Sequence, residues 1–286
     1  MPLKLIHGPP NSGRADRIQT LFRDALDRNP VLVLPTLDDV FRFERSLCEA
    51  GAALGGSVLT FDELFREVAR CGGAQPAGEL TPAQRLAAIS LGIRSQQSEL
   101  GPLRRSAAPP GFAIPFERLL DELQGAGLEP ASLGSGAQTL EASAYLGDLA
   151  ALFAAYAAVR DRLGLLDAHG VALGASESLR AAPASWRKRP VFLYEPGDLT
   201  PNQRRLLELL SGVTEVTVAL PHEEESPSLA ARTSLFEGLR AIATETQGLD
   251  PPAEIEPFGI DPLLVHIQRE FGRTEPARRP AGDALV

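Results

Sequence analysis

The apolar and polar positions near the amino terminus alternate between two periods. Leu3 to Gly8 is a short run of strand type, and Arg14 to Asn29 then places Ile18, Leu21, Phe22, Ala25 and Leu26 at helical spacing. Pro30 breaks that helix, and Val31-Leu32-Val33-Leu34 is a continuous apolar run of the kind buried on both faces of a parallel sheet. The pattern predicts a parallel βαβ unit. Leu37 to Ala50 reads as a second helix, with Val40, Phe41, Phe43, Leu47 and Cys48 as candidate core positions. Ser57 to Thr60 follows as a third strand, running directly into a helix over Asp62 to Arg70.

After Cys71-Gly72-Gly73 the pattern becomes almost entirely helical. Pro82 suits the first turn of a helix capped by Thr81, with Leu86, Ile89 and Ile93 along one face. Gln96 to Gly111 reads as a polar, proline-rich connection, Ile114 to Gln124 as a helix, and Gly125 to Thr139 as a glycine-rich loop. The strongest helical signal comes next: Tyr145, Leu149, Leu152, Phe153, Tyr156, Val159 and Leu163 form a core stripe. Strand character returns at Val191 to Tyr194, followed by a helix over Pro201 to Leu210 and a strand over Val213 to Leu220. The expected organisation is an α/β domain formed by 1–75 and 185–260, interrupted by a helical insertion over 76–184. A C-terminal helix and tail would occupy 261–286. The strand 191–194 is expected in the same sheet as strands 3–7 and 31–34.

Composition narrows the function classes. Fractions of 44% hydrophobic and 23% charged residues are ordinary for a globular protein and argue against wholesale disorder. The short apolar run before His7 is no signal peptide, and no apolar stretch is read as approaching the ~20 residues that span a bilayer. A cytoplasmic location without membrane contact is therefore the expectation. Cys48 and Cys71 form no C-x-x-C pair and read as small buried thiols, and the four histidines have no metal-site spacing, so no metal site is expected. A net charge of −9 disfavours an isolated nucleic-acid binder, so any DNA contact must come from a local patch or a partner. Arg104-Arg105 and Arg187-Lys188-Arg189 are the densest basic clusters.

Two constellations carry candidate chemistry. Gly8-Pro9-Pro10-Asn11-Ser12-Gly13-Arg14-Ala15 has the glycine frame of a phosphate-binding loop, G-x-x-x-x-G-K-[ST], between a first strand and a first helix. With 26 glycines in the chain, about two such pairs arise by chance, so the strand-to-helix context supplies the specificity. Gly8, Ser12 and Gly13 fit the frame. Arg14 stands where lysine would reach the terminal phosphates, and Ala15 where a hydroxyl would ligate Mg²⁺. The second constellation is Tyr194-Glu195-Pro196-Gly197-Asp198. Here Glu195 and Asp198 match an Asp-Glu-x-Gln-Asp motor motif, whereas Tyr194 offers a phenol in place of a metal-binding carboxylate. Neither catalytic residues nor a resident cofactor are expected, although Arg14 and the loop amides leave room for residual ATP binding.

These strings, with Val31 to Thr36, Leu59 to Leu64, Gly164 to Asp167 and Leu199 to Gln203, occur in the order of superfamily 1 helicase motifs. The series resembles the amino-terminal region of AddB-type helicase–nuclease subunits and related PD-(D/E)XK nuclease-family proteins, over nearly the whole chain. The resemblance implies a RecA-like P-loop parallel sheet with an inserted all-helical subdomain. It also implies a non-catalytic role in DNA binding and scaffolding within a double-strand-break repair complex, beside an AddA-like motor subunit. The parent protein would carry a nuclease at its far carboxyl end. Thr36, Thr60 and Phe61 align with motifs that contact single-stranded DNA; helix capping by Thr60 and core packing by Phe61 are equally simple roles. Two other readings stay open: an active ATP-dependent helicase or P-loop hydrolase, and a protein-interaction module without DNA contact.

Overall fold

The computed structural model describes residues 3–49, 55–73, 78–136, 139–224 and 226–250, together with Ile267, Glu270 and Phe271. In chain order the regular elements are β1 (Leu3–Gly8), α1 (Arg14–Asp24), β2 (Val31–Leu34), α2 (Leu37–Glu49), β3 (Ser57–Thr60), α3 (Phe61–Cys71), α4 (Pro82–Gln96) and α5 (Ala113–Gly125). They continue with α6 (Leu140–Leu163), α7 (Ala168–Ala181), β4 (Val191–Tyr194), α8 (Pro201–Val213), β5 (Val216–Pro221), α9 (Thr233–Arg240) and β6 (Glu245–Gly248). Among the described residues the six strands form one parallel sheet in the order β3-β2-β4-β5-β1-β6. Strand 191–194 thus joins the sheet of strands 3–8 and 31–34, as the return of strand patterning predicts: Val191 pairs with Val31 on one side and Val216 on the other.

Contacts divide the chain into two units. The first comprises Met1–Phe61, Arg187–Leu199 and Leu210–Val286; the second comprises Asp62–Trp186 and Thr200–Leu209. In the first, Ile18 and Phe22 of α1 and Val40 and Leu47 of α2 pack with Ile6, Leu32, Leu34, Phe192 and Ala219 of the strands. Strand side chains alternate between faces, so Leu3, Leu5 and His7 point away from that cluster. On this second side the ring of Phe236, from α9, meets His7 edge-on.

The second unit is built on α4, α5 and α6. Ile89, Ile93, Phe116, Leu120, Leu149, Leu152, Phe153, Tyr156 and Val159 share its core. The segment expected as a polar connection also contributes Leu100, Leu103 and Ala107. The buried Asp148 carboxylate holds that segment down by accepting from the Gly101 and Leu103 amides. Tyr145 and Leu163, expected in the core stripe, are 44% and 53% exposed because the helix outruns its packing partners at both ends. By length and composition Ala142–Leu163 is apolar enough to cross a membrane, contrary to the expectation that no stretch qualifies. Alanines supply much of that apolarity, and the leucine and aromatic face serves the core.

Other differences have local causes. Phe41 is 63% exposed and Cys48 is exposed, because Val40, Phe43 and Leu47 define the inward stripe and Phe41 and Cys48 lie on another. Cys71 is only half-buried. The first helix ends at Asp24, and the chain leaves it through a 3-10 turn to a left-handed Asn29. α8 runs on to Val213, so β5 starts at Val216, with the Thr214 hydroxyl donating to the Arg189 carbonyl between them. The C-terminal helix and tail expected over 261–286 lie outside the described residues apart from Ile267, Glu270 and Phe271.

Candidate functional site

A parallel sheet gathers the carboxyl ends of its strands on one edge, where a ligand meets the connecting loops. Here that edge carries, in spatial order, Thr60 after β3, Thr36 after β2, Glu195 after β4, His222 after β5 and the Gly8–Ala15 loop after β1. The loop turns tightly. Ser12 N–H donates to Pro9 O, and Asn11 and Gly13 both adopt left-handed backbone with φ of 62° and 76°. Gly8 is required by close approach: a Cβ there would lie 2.4 Å from the Leu249 carbonyl oxygen and 2.7 Å from Ser12 Oγ. Gly13 caps α1, which then begins at Arg14.

Arg14 does not project into solvent. It is 4% exposed and turns back under its own loop, where Nη1 donates to the Gly8 carbonyl at 2.5 Å, to the Pro9 carbonyl and to Ser12 Oγ at 3.0 Å. Nη2 donates to Glu195 Oε1 at 2.9 Å, an ion pair that links the ends of β1 and β4 across the intervening β5. The Gly8 carbonyl also accepts the His222 amide. Nε of Arg14 is buried without a hydrogen-bond partner among the described residues.

Glu195 itself sits at φ 47°, in left-handed backbone that a non-glycine residue seldom adopts, with its N–H donating to the Ala219 carbonyl. That conformation ends β4 and aims the carboxylate toward the loop. Burial and the adjacent Glu195 carboxylate push the Tyr194 phenol up to about 12, so it is a neutral hydroxyl at physiological pH. Asp198 is exposed, and Ala15 presents a methyl group on the outer surface of α1. These residues do not fit a magnesium–nucleotide complex: the positions where the loop and motor motifs would require metal ligands hold alanine and a protonated phenol, and the Arg14 cation is held by the loop's own carbonyls. Among the described residues no group of three or more His, Cys, Asp or Glu side chains could hold a metal ion.

No protein-family model matches this chain, and no curated protein does.

The other sequence-chosen residues divide. Thr36 caps α2: its hydroxyl accepts from the Asp39 amide at 3.2 Å and donates to the Asp39 carboxylate at 2.6 Å. Thr60 and Phe61, both half-buried, form the junction of β3 and α3. Beside Thr36 an open cleft of about 270 Å³ is lined by Leu34, Pro35, Asp39, Arg42, Phe43, Ser46, Tyr194 and Glu195. The basic cluster 187–189 lies before β4, at the opposite edge of the sheet. Arg189 is buried and donates to the Asn29 carbonyl, which leaves only Arg187 and Lys188 exposed. In the helical unit Arg104 turns onto the Leu100 and Ser98 carbonyls.

Sequence reasoning missed two polar centres. At the carboxyl edge, His222 stacks on Phe236 with ring centroids 3.6 Å apart, and His7 meets the same ring edge-on. No spacing rule connects His7 with His222; only the pairing of β1 with β5 does. In the helical unit, Asp167 caps α7 through the Gly170 amide and accepts from Tyr156 Oη, Gln124 Nε2 and Arg160 Nη1. Its signal in the sequence was an Asp directly before an apolar helix, the pattern of a cap.

Proposed function

We propose that this chain is a RecA-like, helicase-type region that has given up ATP turnover and serves a helicase–nuclease complex as a DNA-engaging scaffold. One observation carries the reading. The degenerate loop, Glu195 and the candidate contacts Thr36, Thr60 and Phe61 lie along one edge of a single parallel sheet, while the loop's cation is bound internally. Such an edge suits contact with a phosphate backbone through hydroxyls, and with bases through the Phe61 ring. The motif order supports an AddB-like role beside an AddA-like motor in the cytoplasm, with a nuclease carried elsewhere in the parent. With a net charge of −9, the motor must supply most of the electrostatic attraction.

The test is fluorescence anisotropy with tailed duplex DNA, alone and with the motor subunit, across a salt series. The expected result is weak, salt-sensitive binding alone, tightened by the partner and reduced several-fold by a combined Thr36→Ala, Phe61→Ala change. Affinity independent of salt, or no complex even with the partner, overturns it. DNA-stimulated phosphate release that Glu195→Gln abolishes would instead establish the active-motor alternative.

A second reading, a protein-interaction module without DNA contact, draws on Leu37 and Phe41. These side chains are 54% and 63% exposed on the outer side of α2, beside Thr36, and an apolar pair of this kind suits a protein partner. In that case Leu37→Asp with Phe41→Asp abolishes partner capture while the DNA affinity of the assembled complex does not depend on Thr36 or Phe61.

A further inference from the structure

The Arg14–Glu195 pair does something that neither loss of hydrolysis nor DNA contact requires. In a working phosphate loop the cationic side chain faces the ligand, and the ligand's charge holds the loop together. Here one terminal nitrogen of Arg14 has its two hydrogens shared among the Gly8 carbonyl, the Pro9 carbonyl and Ser12 Oγ. The other terminal nitrogen is paired with Glu195. The guanidinium is therefore bound on both sides within the fold, at a residue that is almost wholly buried. Lysine could not do this, because its ammonium is a compact point charge and not a planar fork reaching two sites at once.

We infer that Arg14 is an internal replacement for a nucleotide: a built-in counter-ion that fixes the loop in its folded shape, ties β1 to β4 through Glu195, and closes the loop to phosphate. The two left-handed residues other than glycine at this site, Asn11 and Glu195, are where the backbone bends to meet the guanidinium. Strained backbone of this kind persists when surrounding contacts over-determine it. The loop's conformation is then the same whether or not ATP is present in solution. This inference does not depend on DNA engagement, so loss of DNA binding in the assay above leaves it standing.

The experiment uses the full chain and two readouts. Amide hydrogen exchange of segments 8–17 and 195–199 is followed in the wild type with and without millimolar ATP, each with and without Mg²⁺, and with inorganic phosphate. The expected result is strong protection that none of these additions changes. Thermal melts then compare the wild type with Arg14→Lys and Glu195→Gln. Both substitutions should lower Tm, by on the order of 5–10 °C, although the first keeps the charge and the second keeps the size. Exchange in both segments of Glu195→Gln should rise at least tenfold. A rise in wild-type Tm or protection on adding ATP or phosphate overturns the inference, as does an Arg14→Lys protein with unchanged Tm and exchange. If Arg14→Lys fails to fold, the wild-type exchange experiment and the milder Glu195→Gln decide the matter.

Discussion

Asp167 is the residue on which the helical unit converges. Burial alone would raise its pKa, but the hydrogen bonds from Gln124, Gly170 and Tyr156 and the charge of Arg160 outweigh that and hold it below its ordinary value. Its carboxylate joins α5, α6 and α7 at one point, and Gln124 passes the connection to Arg85 of α4. Removing a carboxylate in such a position leaves a cation and three donors without their acceptor. Asp167→Ala is expected to cost about 3–5 kcal/mol, and Asp167→Asn less, since the amide oxygen still accepts. Urea unfolding checks this, and a loss under about 1 kcal/mol for the alanine variant would mean that the neighbours find other partners. The contrast with Arg14 is one of legibility. An aspartate ahead of an apolar helix announces a cap from sequence alone, whereas an arginine after a glycine loop reads equally well as a phosphate ligand. Only Glu195, 181 residues further on, shows which way the guanidinium turns.

Among the elements, β1 and β5 are tied together at their carboxyl ends by an aromatic cluster that titrates. Burial is the largest effect holding both His7 and His222 below the ordinary histidine value; a hydrogen bond with the His222 backbone partly offsets it at His7, and at His222 the charge of His7 lowers the value further while Glu237 partly offsets it. Because their folded pKa values are depressed, the fold binds fewer protons than the unfolded chain, and the associated stability is fully present above the unfolded value. It is lost as pH falls through the folded values. Melting temperature should therefore decline from pH 7.5 to pH 5, and a His7→Gln, His222→Gln double variant should decline less steeply. Parallel profiles for the two proteins would remove the histidines as the cause. The elements themselves were legible wherever burial was two-sided or one-sided: the run at Val31 and the stripe of Ile18 and Phe22 gave their strand and helix directly. β6 was not, because Glu245-Thr246-Gln247-Gly248 is a mostly exposed edge strand with no apolar alternation to detect. Phe41 and Cys48 are apolar in sequence yet face outward, because the helical angle separates them from Val40, Phe43 and Leu47.

At the scale of the whole molecule, the order of strands in space departs from their order in the chain. β1 lies between β5 and β6, so it has no neighbour in the described sheet until those two strands exist. A chain cut after Val213 loses both partners of β1 and the floor beneath His7. It should show no cooperative melting of the sheet unit, while the α4, α5 and α6 core of the helical unit keeps its helical circular dichroism. A cooperative transition from the sheet unit of that truncated chain would show that β2, β3 and β4 suffice. The same placement governs how the protein emerges from the ribosome. Lys4 and Glu245, which pair across the β1–β6 seam, are 241 residues apart, a distance that takes about 10–50 s to synthesise. Throughout that interval the apolar side chains of β1 and the inner face of α1 are displayed on a nascent chain, so this segment is where chaperones would engage the unfinished sheet.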